Sequence, residues 1–494
     1  MTAVAPLHLH SFAPGPLVIA IGGLAAFAIF RVFFSGGSKL PPGPSRIPVF
    51  GNAFGLPADC AWIKLSQWAL QYGIIMYLEV LKQPMVVLSS IKIANDLLNK
   101  RSALYSDRPN LVRIVVFICR SGYGKTLPIS HYGDKWRAQR KMVAQEFGPG
   151  AVTKFQTMQE LQARKLMQTV LSNPKQLANE VKLCIGSIIL RATYGYWLTG
   201  SQDPFLLLPL QAMENFSQAA TPGTWLVDVI PILKHIPSWL PGAAFLQTAK
   251  EWTKTTIQAT QEIYNWSKEE IIKGTSLEPN ICASIFTQHD GQLSGTDEES
   301  LMWGTSSVMG GGMDTNMSTI MSFFMLMILF PEIQQKAQQE LSTVTGDLRL
   351  PNLSDKSDLP YIRGLITEVY RLFPAVPLGI PHCLIQDDVY NGMLLPKGTV
   401  VIANVWHMMH DPVQFPDPEI FNPERYMGSD TEMQKVTDVV FGFGRRRCPG
   451  YDFSQQTIYS IILTALATCN ILPQVTPAGD PIIPLPSYTS GAIT

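Results

Sequence analysis

The stretch FGFGRRRCPG, residues 441–450, sets a cysteine directly after three arginines and closes with Pro449 and Gly450. The chemistry open to such a residue belongs to the thiolate, the form of cysteine that acts as nucleophile and metal ligand. Cationic neighbours and a helix amino terminus both lower a thiol's pKa, and the apolar run from Tyr451 reads as a helix. The pattern therefore predicts that Arg445, Arg446 and Arg447 hold Cys448 as an anion, with Gly442 and Gly444 allowing the tight backbone that presents it. Other readings fare worse. GFGRRR lacks the third glycine and the preceding strand of a dinucleotide loop, and three arginines are too short a run for a nucleic-acid patch.

Three helical segments carry further residues of chemical interest. In HYGDKWRAQRKMVAQEF, Trp136 and Arg140 stand four apart and share a face, an indole donor beside a permanent cation. Taken alone, the pair reads first as an ordinary surface helix with a half-buried Trp, since such i,i+4 pairs are frequent. The run from about Glu298 to Leu341 is apolar around most of its circumference and belongs in the core. Gly310, Gly311 and Gly312 in its middle each cost about 1 kcal/mol against Ala. They clear space for a bulky planar group or substrate, or they form a packing notch; Asp314 and Thr315 follow as a buried acid beside a hydroxyl. In LPYIRGLITEVYRLFPAVP, Glu368 and Arg371 are three apart, a weak signal by itself. Arg425, in the loop FNPERYMG, would complete an acid held by two guanidiniums.

The elements that must position these residues are mostly helical. Strand-like stretches are few: MYLEVLKQPMVVLSS, with a turn in its middle, and DVYNGMLLPKGTVVIANVW, where Asn-Gly fits a tight hairpin. Lys and Arg total 38, as do Asp and Glu, so the charge balance makes no case for nucleic acid. The seven cysteines are scattered without a C-x-x-C pair, which fits reduced thiols. Near the amino terminus, PLVIAIGGLAAFAIFRVFF is long and apolar enough for an anchor helix, followed but not preceded by basic residues. Residues 1–38 are thus expected to anchor the chain in a membrane, with the body on the cytoplasmic side. Pro41, Pro42, Pro44 and Pro48 stiffen a hinge over 39–50, and 39–494 reads as one large domain.

A thiolate ligand on haem iron donates electron density that favours O–O bond cleavage. The ten residues around Cys448 resemble the haem-binding signature of the cytochrome P-450 superfamily, F-x-x-G-x-R-x-C-x-G, at Phe441, Gly444, Arg446, Cys448 and Gly450. The other segments fall in that family's order along the chain: W-x-x-x-R, GGMDT, E-x-x-R, the P-E-R loop, then the cysteine loop. The resemblance implies a mainly α fold with small β-sheets, binding haem b, and a monooxygenase that uses O2 and NADPH. Cys448 would ligate the iron. Trp136, Arg140, His382 in GIPHCLIQDD, and Arg446 would hold the propionates, with Gly311 against the cofactor. Asp314 and Thr315 would supply protons to the oxygen being activated, and Glu368, Arg371 and Arg425 would be structural. Two departures stand out: Asn316 replaces the Thr or Ser that many members have, and Arg447 replaces an apolar residue.

The resemblance also implies partners. Electrons would come from NADPH–cytochrome P-450 reductase, with cytochrome b5 as a possible second donor, at the endoplasmic reticulum membrane. Lys135, Arg137, Lys141 and Arg445 are candidate docking cations. The wording of several segments is similar to fungal members of secondary metabolism; a xenobiotic-oxidising enzyme is the alternative. The apolar segments 108–124 and 224–242, Val308, Gly311, AVPLGI and 488–491 would wall the pocket of a lipophilic substrate, with Trp225 and Trp239 at the membrane. A thiolate-haem isomerase or dehydratase, and a non-catalytic haem-binding protein, are the rival functions.

Overall fold

In the computed structural model, which describes residues 39–57, 59–109, 123–220, 236–237, 243–276, 279–346 and 348–488, Pro331 divides the longest apolar run into two helices. Proline lacks the N–H that would continue the ladder and pushes the residue before it out of the α region. Phe330 is accordingly extended, at φ −130° and ψ 69°. The two helices bend by 107° at this break, so the single helix expected over 298–341 is corrected to a pair. The expected anchor, Trp225 and Trp239, and most of the two apolar segments of the predicted pocket lie outside the described residues. Among those described, no single helix is long and apolar enough to cross a membrane.

Counting helices of eight residues or more, the order is α1 Ala61–Tyr72, α2 Asp134–Phe147, α3 Gln156–Ser172, α4 Leu177–Tyr194, α5 Pro204–Ala220 and α6 Ala244–Ile272. Then come α7 Ile281–Gln288, α8 Gly295–Leu329, α9 Pro331–Thr345, α10 Pro360–Leu372, α11 Asp430–Val440 and α12 Tyr451–Thr468. Central α8 is packed by α4, α2, α12 and α6. Glycines let it approach α4 closely: a Cβ at Gly312 would stand 2.8 Å from Ile189 Cδ1. Ser294 caps the start of α8 by accepting the Asp297 N–H, which satisfies an otherwise orphaned donor.

The strands are as few as the sequence predicts. β1 (Ile75–Val80) and β2 (Gln83–Leu88) form an antiparallel hairpin. β2 runs parallel to β6 (Val400–Ala403), with Met85 opposite Val400. β3 (His382–Cys383) closes the sheet against β6. β4 (Asp388–Tyr390) and β5 (Met393–Leu395) make the Asn-Gly hairpin, with Asn391 at φ 49° and Gly392 at φ 77°, the left-handed pair that such a turn requires. A last pair, β7 (Gln474–Val475) and β8 (Pro481–Ile482), lies near the carboxyl end.

Candidate active site

The cysteine loop is shaped by its glycines and by one carbonyl. The Phe441 carbonyl accepts the Cys448 N–H at 2.8 Å, and the Phe441 ring packs edge-on against Tyr370 and Tyr451. Gly444 sits at φ 53°, and a Cβ there would lie 2.2 Å from the Leu98 carbonyl oxygen; its N–H is held by the Asn99 side chain. Any side chain at 444 would displace the loop. Gly450 lies beside the sulfur, its Cβ position 3.9 Å from Sγ.

The charge state predicted for Cys448 needs correction. Burial pushes its thiol up, and the Gly450 N–H, Arg140 and Arg447 oppose that without reversing it. The sulfur is nevertheless accessible, and the two facts hold together only for a group facing an internal recess. Of the three preceding arginines only Arg447 acts on it. Arg445 donates to the Tyr132 hydroxyl at 2.8 Å, and Arg446 points to the carbonyls of Ser106, Leu127 and Ser130. Arg447 is also accounted for locally: it pairs with Asp438 of α11 at 2.7 Å and lies over the Tyr451 ring. The sulfur thus becomes an anion by binding a cation, rather than by its neighbours alone.

Beside the loop gathers a cluster of cations. Arg140 of α2 is mostly buried, which lowers its pKa, while Cys448 raises it. Arg446 is brought down to about 10 by burial, against the pull of Asp107, with Arg140 adding to the effect. Its guanidinium lies 4.5 Å from the centre of the Trp136 ring, and the Trp136 indole N–H donates to Leu127 O at 3.1 Å. Arg108, which the sequence reading passed over within YSDRP, belongs to the same group. It is 5% exposed, donates to Pro128, Ile380 and Pro381 carbonyls at 2.7 Å, and has its pKa pulled well down by burial and by Arg446. His382 completes the set. Its Nδ1–H donates to Tyr105 O at 2.7 Å, Nε2 has no hydrogen-bond partner among the described residues, and burial with Arg108 nearby lowers it to about 3.

Among the described residues no carboxylate makes an ion pair with Arg108, Arg140 or Arg446. Buried guanidiniums are costly without an anion. Two carboxylates on one flat apolar group, as haem b carries, supply that charge. Among the described residues no three His, Cys, Asp or Glu gather to hold a metal by themselves. A metal at Cys448 therefore draws its other ligands from a prosthetic group, and the donor set fits haem.

Helix α8 meets the site on one narrow face. A Cβ at Gly311 would touch nothing within 4 Å, whereas one at Gly310 would stand 2.8 Å from Met213 Sδ. Of the three glycines only Gly311 opens a space; Gly310 and Gly312 are close packing contacts. Thr315, one turn on, donates its hydroxyl to Gly311 O at 2.7 Å, so its oxygen presents lone pairs. Asp314, the residue before it, is half-buried, and burial first, then Glu214 of α5, raises its pKa. The adjacent acid and hydroxyl are not hydrogen-bonded to each other, as expected about 100° apart around a helix. Asn316 is a tie rather than an open position. It donates to Gly312 O at 2.7 Å and accepts from Ser454 Oγ at 2.6 Å, clamping α8 to α12 six residues beyond Cys448.

Away from the recess, Glu368 and Arg371 of α10 are both fully buried. Arg371 grips the carboxylate through Nε and Nη2, each at 2.8 Å. Arg425 Nε adds 3.1 Å, the Tyr426 hydroxyl 2.7 Å and the Asn422 N–H 3.1 Å. Of the proposed docking cations, Lys135 pairs with Glu299, and Arg137 with Asp134.

A family model described as Cytochrome P450 matches residues 41–485. Cytochrome P450 monooxygenase 105 of the fungus Postia placenta is 48% identical over 96% of this chain and 91% of its own. Cytochrome P450 monooxygenase claR of Ampulloclitocybe clavipes is 36% identical over 99% and 91%. A zebra fish cytochrome P450 structure with progesterone superposes with a TM-score of 0.67, at 25% identity over 82% of this chain and 91% of that one. With a cysteine loop, a matching donor set for haem and monooxygenase relatives along nearly its whole length, the chain belongs to the cytochrome P450 family and is a haem-thiolate monooxygenase.

Proposed function

We propose that the enzyme oxidises a lipophilic small molecule of fungal secondary metabolism, with electrons from NADPH through a separate reductase and with cytochrome b5 as a second donor. The proposal includes an anchor at 1–38 in the endoplasmic reticulum membrane and a cytoplasmic domain over 39–494. The observation that carries the reading of the site is the excess positive charge of Arg108, Arg140 and Arg446, which Asp107 offsets only in part, beside the Cys448 sulfur. Bound there, haem b supplies the iron that activates O2. Cys448 would be its thiolate ligand, and Arg108, Arg140 and Arg446 would hold the propionates; Trp136, expected among these donors, instead spends its one N–H on Leu127 O and lies against the Arg446 guanidinium. His382 keeps Nδ1 on Tyr105 O and turns Nε2 to the same carboxylates, which favour its protonated form.

Gly311 keeps the distal face clear, and Thr315 fixes an acceptor oxygen beside it. Asp314, half-buried and inclined to hold its proton, is the acid that supplies that face. Relatives from Postia and Ampulloclitocybe support the fungal setting. The zebra fish structure with progesterone supports a lipophilic substrate class. The test is expression with a fungal reductase, followed by an untargeted search for metabolites that gain one oxygen. Cys448→Ser should abolish the thiolate-type ferrous–CO spectrum and all product. Haem-free protein, or a spectrum indifferent to that change, overturns the reading. Turnover without NADPH would point to an isomerase. Thr315→Ala should release peroxide in place of product while haem binding stays normal.

A further inference from the structure

The segment 123–130 lies between α8 and the arginines of the site, and its carbonyls orient two of the three guanidiniums. Leu127 O accepts from Arg446 Nη1 and from the Trp136 indole, each at 3.1 Å. Ser130 O accepts from Arg446 Nη2 at 2.7 Å, and Pro128 O from Arg108 Nε at 2.7 Å. Thr126 O closes the turn by accepting the Ile129 and Ser130 N–H groups at 3.2 and 2.9 Å, so the three carbonyls move as a unit. Where this turn stands, Arg446 and Arg108 stand. Its main chain meets α8 at one hydrogen bond among the described residues: the Leu127 N–H donates to Ser307 Oγ at 2.9 Å. That hydroxyl spends its own hydrogen on Trp303 O at 2.6 Å, which leaves its lone pairs for Leu127. Leu127 is 5% exposed, and a buried N–H is costly to leave unpaired. The other link to α8, Lys125 with Glu299 at 2.8 Å, joins two exposed side chains and holds little. Along α8, Ser307, Gly311 and Thr315 follow at intervals of four and share a face. The residue that pins the turn is thus in line with the two that border the distal recess.

We propose that Ser307 is a positioning residue for the haem carboxylates: through the Leu127 N–H it fixes the carbonyls that orient Arg446 and Arg108, and so ties the seat of the cofactor to the face of α8 that carries Gly311 and Thr315. Leu127 is the junction, with its N–H on the helix above the recess and its carbonyl on the arginine beside the sulfur loop. A methyl group at 307 leaves that N–H without an acceptor, and the turn shifts to find another, taking both guanidiniums with it. Threonine keeps the oxygen, and its hydroxyl can still donate to the carbonyl one turn back. The inference rests on the reading of Arg446 and Arg108 as the groups that hold the carboxylates.

The experiment compares Ser307→Ala, Ser307→Thr, Arg446→Gln and the double variant Ser307→Ala/Arg446→Gln. In haem-free protein, hydrogen exchange at the Leu127 amide should quicken in Ser307→Ala and stay native in Ser307→Thr. In loaded protein, transfer of haem to excess apomyoglobin should quicken about tenfold in Ser307→Ala, the lower end for loss of an outer-shell partner of a metal site. The propionate bending band in the resonance Raman spectrum should move with it, and Ser307→Thr should restore both. Arg446→Gln should quicken transfer at least as much. Ser307→Ala added to it should change little more, because the serine acts through the arginine. Transfer and band both native in Ser307→Ala, or full additivity in the double variant, overturns the role of Ser307. Native transfer in Arg446→Gln overturns the reading of the arginine instead, so the two failures are distinguishable. Thermal melts of the haem-free variants should show each of them folded.

Discussion

Two buried polar clusters in this molecule are built from the same materials and are opposite in balance. Around Glu368, one carboxylate receives Arg371, Arg425, Tyr426 and the Asn422 N–H, and every partner belongs to the chain. Around Arg446, two guanidiniums and an imidazole meet backbone carbonyls, Arg140 stands beside them, and among the described residues no carboxylate pairs with any of the three arginines. A network closed within the chain is architecture, because burial of a fully paired ion group asks for nothing more. A network left with charge of one sign is half of a binding site, and the sign names the ligand's chemistry.

The sharpest way to break the comparison is at the closed cluster. Glu368→Gln leaves Arg371 fully buried without its anion, a loss of roughly 3–5 kcal/mol, so little folded protein should be recovered and urea unfolding should shift accordingly. The open cluster should behave in reverse. Arg140 has no hydrogen-bond partner among the described residues, so Arg140→Leu should leave the stability of haem-free protein level or improved. Its haem affinity should fall about tenfold to a hundredfold, as for a lost charge-assisted bond of about 1.5–3 kcal/mol. Equal losses of haem-free stability at both clusters would erase the distinction.

A pH series sharpens it further. His382 titrates near 6.5 when unfolded and at about 3 in the folded chain. Between these values the unfolded state binds more protons, so stability falls as pH drops from 6.5 toward 3 and is level below that. His382→Gln should flatten this limb in haem-free protein, read by chemical denaturation at stepped pH. Haem binding should also shrink the limb in the native chain, since propionates beside Nε2 raise the folded pKa.

Cys448 was legible because its signature is local: ten residues fix a loop whose glycines and helix start can be read directly. The orientation of its arginines was not, since consecutive residues leave a loop in different directions, and Arg445, Arg446 and Arg447 end on three separate partners. Arg108 carried no signal at all. An arginine before a proline is an ordinary surface feature until the fold places it against Ile380 and Pro381, far along the chain. The bend at Pro331 was readable from proline chemistry, yet the continuous apolar pattern on both sides hid it. The glycine triplet divides the same way: its cost was visible, but packing alone shows that only Gly311 faces open space.

Asn316 gives the smallest and most discriminating test, because the resemblance marks it as a departure directly after Asp314 and Thr315 and the structure sets it in the frame. Its amide bridges the Gly312 carbonyl and the Ser454 hydroxyl, so Asn316→Ala removes a buried tie between α8 and α12 at a cost of about 1 kcal/mol. A small drop in melting temperature should follow, with product per NADPH unchanged. Ser454→Ala should cost a similar amount, and the double variant less than the sum, since both remove one bond. Asn316→Thr offers a hydroxyl at the same position but cannot make both contacts of the amide. If it raises coupling, Asn316 belongs with Asp314 and Thr315 in the open region; if it lowers only the melting temperature, the clamp belongs with Glu368 among the closed ones.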